Sequence, residues 1–280
     1  MRTISSLPPE LTRLLFDAGT RAVVLVEGDD DRYVLREWFS EFLSEVEFYD
    51  CGGIINLNKW LEALLDLGAL KRAYGITDRD FRSEAEVNDS YAGDSHSFIL
   101  RRYALENYLL ELKPLWELMK LWDKKITDAM PDEQTMANRL LEHCQELKSL
   151  MAANWVFYET NLALYRSAGV TAKLEYFSAG HETDRQIVIR RAAKRLQCDE
   201  AEAELRIAEK EREVDRFLTD LINAHQVIDG KRILHCINQE YFKTDAGRLF
   251  RLLTDKTKSH GLPADVAYIV RDRILISATS

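Results

Sequence analysis

AVVLVEGDDD, residues 22–31, is the stretch on which the fold turns. Its opening residues, Ala22–Val26, form a continuous apolar run, the pattern of a short strand buried on both faces of a parallel sheet. Glu27 and Gly28 end the run. Asp29, Asp30 and Asp31 follow where a helix would begin and where carboxylates favour its positive N-terminal pole. Val34, Leu35, Trp38, Phe39 and Phe42 then recur at helical spacing, so a helix is predicted over 32–43.

The alternation continues outward from there. A second strand, Val46–Asp50, ends at Gly52 and Gly53, and a second helix carries Leu57, Trp60, Leu61, Leu64 and Leu65. A third strand, Ala73–Thr77, runs into Asp78, Arg79 and Asp80 within YGITDRDF, residues 74–81. Residues 83–95 read as a polar loop and 97–100 as a fourth strand. Strands and helices alternating at this short spacing are βαβ units, hence a parallel sheet. After residue 104 the strand pattern gives way to helical periodicity near 114–128, 132–167, 198–224, 230–242, 245–256 and 263–272. The expected fold class is α/β, with a parallel-sheet domain over 1–110 and a mainly α-helical domain over 111–280.

Composition narrows the class. With 280 residues, 46% hydrophobic and 30% charged, and only 12 Gly and 5 Pro, the chain can bury a full core and is neither disordered nor low in complexity. Cys51, Cys144, Cys198 and Cys236 are far apart and form no C-x-x-C pair, which argues against a zinc ribbon or a disulfide framework and fits a reducing cytoplasm. The first residues lack the apolar core of a signal peptide, and no stretch approaches the roughly 18 uncharged apolar residues of a membrane span, so no membrane association is expected. The six histidines show no metal-ligand spacing, and His181, His225 and His260 are expected on loops or surfaces.

A formal charge of −9, taken at face value, argues against nucleic acid as a partner. Its distribution says otherwise. Residues 199–215 carry a local net of −5, as a solvated or coiled-coil-like helix would, whereas Arg185, Arg190, Arg191, Lys194 and Arg195 lie in a segment, 185–197, with no acid. On a helix the pairs 190/194 and 191/195 form adjacent rows that can track a phosphate backbone. A weaker basic run spans 243–258.

The chemistry resides in the strand ends. Side chains at the carboxyl ends of parallel strands converge on one crevice, so Glu27 after strand one should meet Asp78 and Asp80 after strand three, with Asp31 close by. Taken singly, an E-G or a D-x-D after a strand is an ordinary turn or helix cap; jointly, one βαβα unit apart, they read as a shared site. Like charges at such quarters call for a cation. Mg²⁺, with Mn²⁺ as a substitute, suits oxygen ligands at strand ends better than zinc does, and two such ions about 4 Å apart would serve phosphodiester displacement.

VVLVEGDDD together with YGITDRDF resembles the TOPRIM domain, a Rossmann-like fold shared by topoisomerases, DnaG-type primases and nucleases of the overcoming-lysogenization-defect (OLD) class. The resemblance covers residues 20–110. It implies a metal-dependent nuclease in which Glu27 is a metal ligand or acid-base residue and Asp78 and Asp80 bind Mg²⁺, with Asp31 matching the second acid of the OLD type. RRYALENYLL, residues 101–110, is similar to a segment of stand-alone TOPRIM nucleases that accompany an ABC-type ATPase in PARIS anti-phage defence systems; this adds Glu106 as a metal-site acid. GKRILHCI from Gly230 resembles a further segment and points to Lys231 as a phosphate contact. The resemblance further implies a toxic effector restrained by the ATPase, a host RNA or tRNA substrate and a homodimer. No phosphate-binding P-loop motif is present, so energy coupling would come from that partner. Two other readings stay open: a haloacid-dehalogenase-like phosphatase using the D-x-D, and a non-catalytic metal-binding module that docks the ATPase.

Overall fold

The computed structural model describes residues 8–9, 11–12, 21–66, 72–123, 130–168, 176–177 and 184–276. Four strands, β1 (Ala22–Val26), β2 (Val46–Asp50), β3 (Ala73–Thr77) and β4 (Ser97–Ile99), form one parallel sheet in the order β2-β1-β3-β4. The chain steps from β1 to one side to make β2, then crosses back to make β3 on the other. The reversal falls between β1 and β3, and in open α/β sheets such a switch point is where ligands bind, beyond the carboxyl ends of the strands. Every residue of β1 and β3 is buried, which is why their sequences are apolar without alternation.

Helices α1 (Asp29–Trp38), α2 (Ile54–Asp66) and α3 (Glu84–Ser90) connect the strands. The first is shorter than predicted: it begins at the acidic triplet, stops at Trp38, and a short 3₁₀ turn, Ser40–Phe42, finishes the segment. Helix α2 lays Leu57, Leu61 and Leu64 against the sheet. It comes so close to β3 that a Cβ on Gly75 would lie 3.0 Å from Leu57 Cδ2 and 3.2 Å from Leu61 Cδ2. Helix α3 replaces the loop expected over 83–95. Ser83 accepts from the Glu86 amide at 3.3 Å while Glu86 Oε2 takes the Ser83 amide at 2.9 Å, a reciprocal capping box that satisfies two donors at the helix start.

The division of the chain also differs from the expected boundary at 110. One compact unit comprises Met1–Leu109 with Phe250–Ser280, and the other is Leu110–Leu249. The returning segment is tied into the first unit by specific bonds. Trp38 Nε1 donates to the Thr254 carbonyl at 3.1 Å, and Lys258 reaches the Glu37 carbonyl and Ser40 Oγ. Arg273 donates to the Tyr91 carbonyl at 2.6 Å, and Tyr268 stacks on Tyr91. Val266, Ile269, Val270 and Ile274 are fully buried there.

The second unit is helical: α4 (Leu112–Trp122), α5 (Glu133–Glu146), α6 (Lys148–Ala168), α7 (Arg185–Leu196), α8 (Glu200–Phe217), α9 (Leu221–Ala224) and α10 (Gly230–Ile237), with α11 (Ala246–His260) running across the boundary and α12 (Ala264–Ala267) in the returning segment. The single helix expected over 132–167 is two, broken at Leu147, and that over 198–224 ends at Phe217 before a short α9. The acidic helix α8 follows the coiled-coil-like form of the expectation, with one buried stripe and the remaining positions mostly exposed or half-buried. It buries Ala203, Ile207, Lys210 and Val214 and answers its carboxylates with cations of its neighbours: Arg185 meets Glu204 at 2.7 Å and Glu211 at 3.0 Å, and Lys148 meets Asp215 at 3.1 Å. No described helix is long and apolar enough to cross a membrane.

Candidate functional site

Glu27 leaves the end of β1 beside the D-x-D that leaves β3. Its Oε1 accepts the backbone N–H of Asp78 at 3.1 Å, so the two motifs are hydrogen-bonded across 51 positions of sequence. The glycine pair after β2 makes this approach achievable: Gly52 and Gly53 take φ of +63° and +118°, values that favour glycine, and the Gly53 amide holds the Glu27 carbonyl at 2.7 Å. Asp31 bends back to accept the Gly28 amide at 3.0 Å, which gives it a capping role at the start of α1 within the site.

The D-x-D turn is held from the β4 side. Asp80 has φ of +51°, an uncommon left-handed conformation that Asp tolerates better than most residues, and its N–H donates to the Tyr103 carbonyl at 3.0 Å. Arg79, between the two acids, is buried and turns away from them. Its guanidinium donates to the carbonyls of Arg82 at 3.2 Å and Arg101 at 2.9 Å and pairs with Glu84 at 3.1 Å. Asp78 Oδ1 accepts the Leu105 amide at 3.2 Å, the first residue of a short 3₁₀ helix, Leu105–Leu110, that also carries the buried Glu106.

Electrostatics show that the five acids act on one another. Burial, reinforced by the charges of Asp80 and Asp31, pushes the Glu27 carboxyl up to about 8, with the Asp78 amide and the Arg82 guanidinium acting in the opposite sense. Asp78 is held well above the usual carboxylate range, first by burial and then by Asp31, Glu27, Glu106 and Asp80. Each of the sequence-predicted acids therefore lies within electrostatic reach of Asp78.

The donor set fits a hard divalent cation: several carboxylate oxygens at strand ends, with no nitrogen or sulfur ligand among them. Among the described residues no three His, Cys, Asp or Glu side chains are arranged to hold a metal, and Glu27, Asp31 and Asp78 each rest an oxygen on a backbone amide.

The other expected residues lie in the helical unit. Arg190, Arg191 and Lys194 are exposed on α7. Arg195 is half-buried, its guanidinium 4.4 Å from the centre of the Phe177 ring, and Arg185 faces the acids of α8, so the basic segment is less uniformly cationic than its sequence. Lys231 is exposed in the first turn of α10. His225 is buried, against expectation, while His260 is exposed and His181 lies outside the described residues. Sequence reasoning missed Arg79 and the Leu105 amide. Arg79 could have been suspected from its place inside D-x-D, whereas a backbone donor leaves no compositional trace.

Residues 20–80 match the TOPRIM domain of the overcoming lysogenization defect protein-like family. The match includes Glu27, Asp31, Asp78 and Asp80 and stops before Glu106. Residues 20–80 of the first unit are thus similar to an OLD-like TOPRIM domain, a type associated with metal-dependent nucleases and topoisomerases and with divalent cations such as Mg²⁺. No curated protein matches the chain.

Proposed function

We propose that this protein is a Mg²⁺-dependent endonuclease, with Asp78 and Asp80 as the principal metal ligands, Asp31 and Glu106 as supporting acids, and Glu27 as both ligand and proton-transfer group. The observation that carries the reading is the bond from the Asp78 amide to Glu27 Oε1, which joins the two acidic motifs at the switch point of the sheet. A bound Mg²⁺ would supply Lewis-acid polarisation of a phosphodiester and a lowered pKa for coordinated water. The chain's own residues do the rest. The hydrogen bond from the Asp78 amide fixes Glu27 through Oε1; its carboxyl, giving up its proton when a cation is bound there, becomes a carboxylate able to take one from the attacking water.

Exposed Arg190, Arg191 and Lys194, with Lys231, are the phosphate contacts of this reading. The biological setting is that of an anti-phage effector in the cytoplasm, homodimeric, restrained by an ABC-type ATPase and cutting host RNA, tRNA in particular. Support for the setting is the similarity of RRYALENYLL and GKRILHCI to PARIS effectors.

The purified chain is to be incubated with tRNA, single-stranded RNA and duplex DNA in Mg²⁺, Mn²⁺ or chelator. Cleavage that needs the metal and falls at least about a hundredfold in Glu27→Ala and Asp78→Ala, with unchanged circular dichroism, is the expected result. Retained cleavage in both variants sinks the assignment. Phosphate release from small phosphoesters with polynucleotides intact would establish the phosphatase instead, and metal binding without turnover the docking module.

A further inference from the structure

The D-x-D turn has a support that reaches it from the far end of the chain. Tyr108 is buried, and its hydroxyl is fully used: it accepts the backbone N–H groups of Arg101 at 3.2 Å and Arg102 at 3.3 Å, and it donates to Asp265 Oδ2. One donor and two acceptor sites are all that a phenol offers, so every partner of this oxygen is fixed. The Arg102 guanidinium covers the Tyr108 ring, 4.6 Å from its centre, and donates to the Asn107 carbonyl at 3.0 Å. Asn107 in turn caps the Ala104 amide at 3.1 Å.

The segment gathered in this way, residues 101–108, is the one that grips the D-x-D. Arg101 supplies the carbonyl for Arg79, Tyr103 the carbonyl for the Asp80 amide, and Leu105 the amide for Asp78 Oδ1. Hydrogen bonds therefore lead from Asp265, at the start of α12, through Tyr108 to the amides of Arg101 and Arg102, and the backbone of 101–105 carries the tie on to Tyr103 and Leu105, which bond both acids of the motif. A carboxylate is the strong acceptor such a hydroxyl needs when two backbone amides already polarise it.

We propose that Asp265 is a positioning residue for the carboxylate site: through Tyr108 it holds residues 101–105 in the conformation that places Asp78, Asp80 and Glu106, so the returning C-terminal segment is part of the catalytic apparatus. The proposal deepens the nuclease reading and rests on it for the identity of the bound cation. The hydrogen-bond path itself does not depend on that reading.

Its test uses the full chain carrying Asp265→Ala, Asp265→Asn or Tyr108→Phe. Amide hydrogen exchange of the metal-free protein comes first. Asp80 and Leu105 are expected to exchange about fivefold faster or more in Asp265→Ala and Tyr108→Phe, with the β1 amides unchanged. Asp265→Asn, whose side-chain oxygen still accepts from Tyr108, should largely restore protection. Mn²⁺ affinity, measured by calorimetry with the metal alone, should fall about tenfold or more in Asp265→Ala and recover in Asp265→Asn. Should Asp265→Ala fail to fold, Tyr108→Phe, which keeps the ring, decides the matter. Native exchange at Asp80 and Leu105 in Tyr108→Phe overturns the positioning role, as does native Mn²⁺ affinity accompanied only by a lowered melting temperature. Absence of Mn²⁺ binding in the native chain would overturn the nuclease reading instead, and the exchange measurement would still decide the path.

Discussion

At Glu27 two physical demands oppose each other. The residue must leave the end of a buried strand, which disfavours its charged form, and it must do so among other carboxylates, which disfavours it further; together these raise the carboxyl from 4.5 to about 8. Between those two values the folded, metal-free protein keeps a proton that the unfolded chain has released. Stability should therefore fall as pH rises through that window and level off above it. Glu27→Gln is neutral throughout and removes this contribution. In chelator, its melting temperature should exceed that of the native protein at pH 8, and the two should converge below pH 4.5. Adding Mn²⁺ at pH 8 should raise the native melting temperature more than that of the variant, because the metal displaces the proton and restores the charge. Parallel curves for the two proteins from pH 4.5 to 8 would show that Glu27 does not titrate as its surroundings dictate.

At the scale of elements, β3 and α2 are locked by one missing side chain. Gly75 lies in a strand whose every residue is buried, and Leu57 and Leu61 occupy the space a Cβ would need. Gly75→Val should cost about 1–3 kcal/mol by overpacking and, because β3 carries the D-x-D, loosen Asp78 and Asp80 as well. Chemical denaturation checks the first effect, and native denaturation midpoints would refute it. The same element was among the easiest to read. β1 and β3 were legible to the residue because each is a mainly apolar run stopped by Glu or Asp, and β2 because its Val-Glu-Phe-Tyr-Asp segment ends just before the glycine pair. Helix α3 was missed because its seven residues hold a single buried position, Val87, too few for a helical period, although Ser83 and Glu86 spell a capping box. The acidic site was legible as a set of residue types at strand ends. What pins it was not: the Leu105 amide and the Tyr103 carbonyl are backbone groups whose sequence neighbours say nothing of them.

For the whole molecule, periodicity revealed which helix faces are buried but not against what. The run 263–272 read as one more helix of the C-terminal half, yet its buried residues, Val266, Ile269 and Val270, belong to the unit built on the sheet. Charge behaved likewise. The net −5 of residues 199–215 suggested a solvated or coiled-coil-like helix; Arg185 and Lys148 from neighbouring helices pair with its acids, whereas the carboxylates around Glu27 are buried together and call for a cation. The consequence for folding is definite. A fragment of residues 1–110 ends where the expected domain ended, but it strips the partners of Trp38, Tyr91 and Tyr108 and uncovers the apolar surface under Ile269 and Ile274. That is several buried side chains at about 1.5–3 kcal/mol each, comparable to the whole stability of a small domain. The fragment should therefore be insoluble or molten, binding hydrophobic dyes and showing a red-shifted Trp38 emission. Supplying residues 250–280 through a flexible linker should restore cooperative unfolding, and a fragment 1–110 that melts cooperatively alone would show that the C-terminal segment is dispensable to the sheet.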